Sequence, residues 1–493
     1  MIPASSDSFP RCFFSVLERW PTVNGNWLFV PLITGSLFGC SAVGHAPQSL
    51  PVSTTKPVHS TASPAVLPSE PGGLNPDSLQ VEKALQRLNE RIARYSRDYE
   101  AALLKGLIFY ETRQFDKALT ELDRIVIQAP NFHLAQMIRG DILLSRVARV
   151  TGIGHNPVLH AMPDSRYVLV EDLREEAHAR LQAYLAAQDN QKLPGQLLRL
   201  GESVETAVLV DKQLNRLYLY GNTGADSPPE LLYDFYISTG RSPGNKMVRG
   251  DLRTPEGVYF VTRYTPGSRL PERYGVAAFP INYPNELDRY QRKTGGGIWL
   301  HGITHQFYSR PPLDSEGCVV LSNTNLEQII SLISPKSTPF IIAERLEWLD
   351  PDLWLERKRE VTQALQKWQR DWESGDAERY LSNYAADFWA EGYDFNSWSQ
   401  MKQRVLANNR NPQISLSNIS LLAYSPGGDI EGEIVVADFQ LSYYRGDSSD
   451  RWRKRLYLRK DQGRWYILHE GNVVEEGATL ANAENELRLN EQL

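Results

Sequence analysis

Two residues that can do covalent chemistry together, His301 and Cys318, stand 17 positions apart. A thiol is a strong nucleophile only as its thiolate, so it needs a lowered pKa or a base, and an imidazole in reach can supply either. Ile298, Trp299 and Leu300 form an apolar strand run that ends at His301 and Gly302. Ser315, Glu316, Gly317 and Cys318 open a second run, Val319, Val320 and Leu321. Two such strands lying side by side would bring the imidazole to the thiol. The Gly302 carbonyl would hold the imidazole tautomer. Gly317 would let the chain turn tightly, so that the N–H groups of Gly317 and Cys318 face a developing oxyanion. This is equipment for acyl transfer through a cysteine. No second Cys or carboxylate cluster stands at ligand spacing, so no metal is expected. His305 reads as a solvated loop residue, and His155 and His160 as surface residues.

The elements that must position the pair read mostly as strands. Residues 204–220 form two alternating apolar runs around a polar turn, a hairpin signal. Residues 232–238 and 257–263 are further strand candidates, and helical patterning returns only at 323–332. This predicts a mostly-β catalytic domain over about 200–345.

His-Gly, a loop, then Ser-x-Gly-Cys resembles the signature of the YkuD-type L,D-transpeptidases. The resemblance spans about 204–343. It includes Val208, Leu209, Val210 and Asp211 with Leu217, Tyr218 and Leu219, then Ser238-Thr239-Gly240, then Thr254-Pro255-Glu256-Gly257. It implies Cys318 as nucleophile, His301 as base, the Gly302 carbonyl as third member and Ser315 as a brace, with no cofactor. The implied reaction opens the bond before D-Ala in a peptidoglycan tetrapeptide stem and passes the acyl group to an amine or to water. Two positions depart from the family pattern: Glu316 replaces a common His, and Val320 replaces a common Arg. The substrate carboxylate must then meet another cation, and Arg310, Arg249 and Lys246 are candidates. Tyr283 is a further substrate-binding candidate. The block Ile281-Asn282-Tyr283-Pro284-Asn285, followed by Arg289, is similar to the branch that holds cell-shape L,D-carboxypeptidases and an enzyme that detaches lipoprotein from the wall. Trimming by hydrolysis is therefore slightly preferred. The alternatives are transpeptidation, by 3-3 cross-linking or on wall-attached lipoprotein, and, from another class, a non-catalytic envelope scaffold.

The flanks give context. Residues 1–39 contain an apolar run that ends before Cys40 and resembles a lipoprotein signal peptide, with Cys40 as the lipidated residue. Residues 40–76 are rich in Pro, Ser and Thr and read as a disordered tether. After such processing Cys318 is the one thiol left of three, Cys12, Cys40 and Cys318. The expected address is the periplasmic side of the envelope, as an outer-membrane lipoprotein. Residues 77–195 read as a tetratricopeptide-like helical adaptor, with Gly106, Phe109, Ala118, Leu122 and Pro130 at repeat spacings and Gly140 one 34-residue period after Gly106. A protein partner or a homodimer through this region is an expectation. Helical stripes at Val361, Leu365, Trp368 and Trp372, continued at Tyr380, Tyr384 and Phe388, followed by alternating strands, resemble a nuclear-transport-factor-2-like (NTF2-like) cone over 355–472. Residues 473–493 form a polar tail. The net charge of -6 gives no sign of a nucleic-acid surface.

Overall fold

The computed structural model describes residues 78–155, 164–186, 192–224, 227–305, 307–408, 412–426, 432–445 and 448–473. The apolar leader, Cys40, the tether, His160 and the polar tail from 474 lie outside the described residues. Among the described residues no helix is long and apolar enough to cross a membrane.

The helical region comprises α1 (Leu79–Arg94), α2 (Tyr99–Glu111), α3 (Phe115–Gln128), α4 (His133–Leu144) and α5 (Asp164–Ala186). Side-chain caps set two of the starts: Ser78 accepts from the Val81 N–H and Asp98 from the Ala101 N–H. At Gly106 an added Cβ would sit 3.3 Å from the Leu122 side chain, so α2 and α3 pack closely at the expected glycine. Gly140 faces open space instead, so the second close approach is not made. α5 runs unbroken from Asp164 to Ala186.

The catalytic domain holds a five-stranded sheet in the order Glu230–Tyr236, Arg216–Gly221, Thr206–Asp211, Pro339–Ala343, Gly257–Phe260. A smaller sheet runs Val319–Val320, Trp299–His301, Ala277–Pro280, Thr265–Pro266. Strand alternation gives the larger sheet two buried faces. Val208, Val210, Leu217 and Phe340 pack against Leu300, Phe279 and Val319 of the smaller sheet. Leu209, Ile341 and Val258 pack the other way, against Leu422, Val436 and Tyr457 of the C-terminal domain. Two short helices follow from local caps, α6 (Glu286–Tyr290) after Asn285 and α7 (Asn323–Ile329) after Ser322.

In the C-terminal domain, α8 (Pro351–Glu373), α9 (Ala377–Leu381) and α10 (Phe395–Asn408) pack on a seven-stranded sheet. Tyr384 and Phe388 correct the helical reading: they lie on the strand Tyr384–Ala390, which runs parallel to Arg464–Asn472. Ser382 and Asn383 end the helix, and the aromatics then alternate rather than following a helical period. The far edge of the sheet is Leu197–Arg199, a strand from before the catalytic domain, paired antiparallel with Gln413–Ala423.

Candidate active site

Leu300 pairs with Val319 and His301 with Val320 across two parallel strands. Leu300 and Val319 both enter the core, so alternation places His301 and Cys318 together on the opposite face, diagonally offset. His301 is 5% exposed, while the Cys318 thiol is half-buried. His301 Nδ1 lies 2.6 Å from the Gly302 carbonyl. A carbonyl can only accept, so Nδ1 carries the hydrogen and Nε2 is left as the base. Burial pushes the imidazole down to about 4; the Gly302 carbonyl partly offsets this, and the Arg310 and Arg273 charges reinforce it. The thiol donates to the Gly297 carbonyl at 3.6 Å. Burial raises its pKa, against the Trp299 N–H and the Arg310 charge, which favour the thiolate. At neutral pH the resting pair is therefore thiol plus neutral imidazole, not an ion pair.

Ser315 organises the turn before the nucleophile. Its Oγ accepts from the Gly317 N–H at 3.0 Å and donates to the Cys318 carbonyl at 2.6 Å. This corrects the oxyanion expectation for Gly317, because its N–H is already committed to Ser315. The Cys318 N–H remains as the backbone donor at the nucleophile. Gly317 is needed for another reason. Its φ is 123°, and a Cβ there would sit 2.6 Å from the Arg253 carbonyl oxygen.

Two other substrate-binding candidates are corrected. Lys246 is 3% exposed and bonds Asp251 at 2.7 Å. Burial opposes the Asp251 charge, but Lys246 and three backbone N–H groups outweigh it and hold the carboxyl down to about 2. Tyr283 is 5% exposed, packs edge-on to Tyr259, and turns its hydroxyl to the Thr294 carbonyl at 3.3 Å. Both brace the loops beneath the site rather than face a substrate. Arg249 is exposed, with its N–H on Thr294 Oγ1 at 3.2 Å. Arg310 is the candidate whose charge reaches both His301 and Cys318. Asp314 holds it by an ion pair of 3.0 Å and a carbonyl contact of 2.9 Å. His305 is exposed. Among the described residues no group of three or more His, Cys, Asp or Glu side chains could hold a metal ion.

Sequence reasoning missed three supports. Tyr274 packs edge-on to His301 at 5.0 Å and accepts the Gly302 N–H on its carbonyl. Asn323 accepts from the Val276 and Ile303 N–H groups and donates to the Ile303 carbonyl at 2.7 Å. A Cβ at Gly302 would fall 2.2 Å from Asn323 Oδ1, so the glycine after His301 makes room for this clamp. Asp314, which aims Arg310, is the third. Asn323 follows the nucleophile strand as part of a Ser-Asn pair, and a search for polar residues just after that strand could have found it.

This fold and site define a cysteine acyl-transfer domain. Residues 205–342 match the L,D-transpeptidase catalytic domain (YkuD), and residues 360–471 match the Cds6 C-terminal NTF2-like domain. The chain thus combines a YkuD-type L,D-transpeptidase catalytic domain with an NTF2-like domain, behind a helical N-terminal region, and the first of these implies an enzyme with a peptidoglycan substrate. No curated protein matches the sequence. Among solved structures, Bd1075 from Bdellovibrio bacteriovorus is similar at 25% identity and a TM-score of 0.50, over 57% of this chain and 98% of that one. The helical cell shape determining protein Pgp2 from Campylobacter jejuni is similar at 26% identity and a TM-score of 0.48, over 59% of this chain and 99% of that one.

Proposed function

We propose that this protein trims peptidoglycan as an L,D-carboxypeptidase, opening the bond before D-Ala in tetrapeptide stems. The observation that carries the reading is the seat of the Cys318 thiol, on the same strand face as a His301 whose Nδ1 is locked by Gly302. Substrate covering the site removes water and lets Nε2 take the thiol proton as sulfur attacks the carbonyl of the third stem residue. The Cys318 N–H faces the oxyanion. His301 returns the proton to the departing D-Ala amine and leaves a thioester. Water then attacks with His301 again as base, and tripeptide stem leaves.

Hydrolysis is preferred over transfer on two sequence features, the block from Ile281 to Asn285 and Val320 in place of the usual Arg. A tethered lipoprotein anchored at Cys40, facing the periplasm from the outer membrane, suits trimming of existing wall. Purified protein given tetrapeptide muropeptide is expected to yield tripeptide, with the mass of one alanine lost, and Cys318→Ala to yield none. Two stems joined between their third residues would overturn hydrolysis in favour of transpeptidation. Activity of Cys318→Ala would overturn the nucleophile.

A further inference from the structure

Three consecutive residues in the loop between His301 and Cys318 are held by groups outside that loop, most of them in the helical region. The Tyr308 ring stacks on Phe132 and stands edge-on to Tyr99, each at 5.5 Å, and packs into the apolar core of the helices. Ser309 Oγ accepts the Leu134 N–H at 3.1 Å. Leu134 lies in the first turn of α4, a helix with no side-chain cap of its own, so a hydroxyl from the catalytic domain satisfies a helix-end donor. The Arg310 N–H bonds Glu176 of α5, and its carbonyl accepts the Tyr236 hydroxyl at 2.9 Å.

Tyr236 is fixed in turn by the helices. Its N–H donates at 2.8 Å to Glu100 of α2. The same buried carboxylate takes Arg216 at 3.0 Å and the Asn325 amide at 2.5 Å. The Arg310 main chain is therefore set by α2, α4 and α5 together. Its guanidinium is held at Nε and Nη2 by Asp314, and its charge is felt at both His301 and Cys318. Nη1 makes no hydrogen bond among the described residues.

We propose that the helical region is the positioning device for Arg310, and that Arg310 takes the terminal carboxylate of the departing D-Ala. This rests on the carboxypeptidase reading and supplies the cation that Val320 does not. The helices then act on substrate recognition from the far side of the loop.

The test compares tetrapeptide muropeptide with the same stem ending in a carboxamide, on the full chain. Arg310→Ala should raise KM for the acid about tenfold to a hundredfold, the range of one charged hydrogen bond, and change KM for the amide little. Ser309→Ala and Tyr308→Ala should raise KM for the acid several-fold and change KM for the amide little. Tyr308→Phe, which keeps the stacking, should restore KM. In the Arg310→Ala background, Tyr308→Ala should add nothing further. A merely structural role would move acid and amide alike, and that result, or full additivity, overturns the proposal; Ser309→Ala gives the same readout if Tyr308→Ala does not fold. Unchanged KM in Arg310→Ala, with Cys318→Ala inactive, refutes the clamp and leaves the function standing. Wild-type protein that cleaves neither stem refutes the function and the clamp with it.

Discussion

The resting state of Cys318 and His301 can be read directly from thiol reactivity. Burial takes the imidazole from 6.5 to about 4, so at pH 7 about one molecule in a thousand carries imidazolium. Burial also raises the thiol above its ordinary 9.0, so the thiol form dominates at pH 7. Alkylation of Cys318 by iodoacetamide should therefore rise about tenfold per pH unit from pH 6 to 8, with no plateau. His301→Gln should change that rate little, yet abolish turnover, because the base acts only once substrate covers the site. A flat labelling rate from pH 5 to 8, or a tenfold slowing in His301→Gln at pH 7, would refute the neutral-pair reasoning. The same histidine sets the acid limb. Its neutral form is the base, so kcat/KM should hold from neutral pH down to about 5 and fall as pH passes through about 4. Stability follows the same sign. Above pH 6.5 neither state binds the proton and the group contributes nothing. Below it the unfolded chain binds the proton first, so stability declines towards pH 4 by about 3 kcal/mol.

Gly317→Ala places a Cβ against the Arg253 carbonyl at a φ of 123°; turnover should drop about a hundredfold as the nucleophile shifts by about an ångström, measured by muropeptide cleavage. Glu100→Ala leaves Arg216, itself fully buried, short of a partner; chemical denaturation should show a loss of about 3–5 kcal/mol. Lys246→Met should lower stability through the lost ion pair with Asp251 and leave KM for acid and amide stems unchanged, since Lys246 does not face substrate.

Much of the site was legible because covalent chemistry requires rare residues in order. His301, Gly302, Ser315 and Cys318 lie within 18 consecutive residues, and two adjacent strands are enough to join them. The hairpin was legible from alternation. The interior strand Pro339–Ala343 was not: it is buried on both faces, so its apolar run has no alternation to mark it. Lys246 and Tyr283 were misplaced because residue type says what a side chain can bind and not whether it is covered. Arg310 depends on α2, α4 and α5, whose contacts with its loop and with Tyr236 cross well over a hundred residues, such as the 175 between Leu134 and Ser309. No local pattern carries that. Tyr384 and Phe388 show the reverse error, where an aromatic spacing of four fitted a helix that a short cap had already ended.

The strand Leu197–Arg199 closes the edge of a sheet whose other members all follow the catalytic domain. Gly201 and Ser420, which hydrogen bond at this join, are 219 residues apart. In topological terms the catalytic domain is spliced into the C-terminal domain rather than strung before it. A C-terminal fragment cut after the catalytic domain would expose the Gln413–Ala423 edge to pairing with other chains. During synthesis the first strand must wait for its partner to emerge, and this long-range closure is slow. The two domains are thus tied together by a strand from before the catalytic domain that closes the sheet of the C-terminal one.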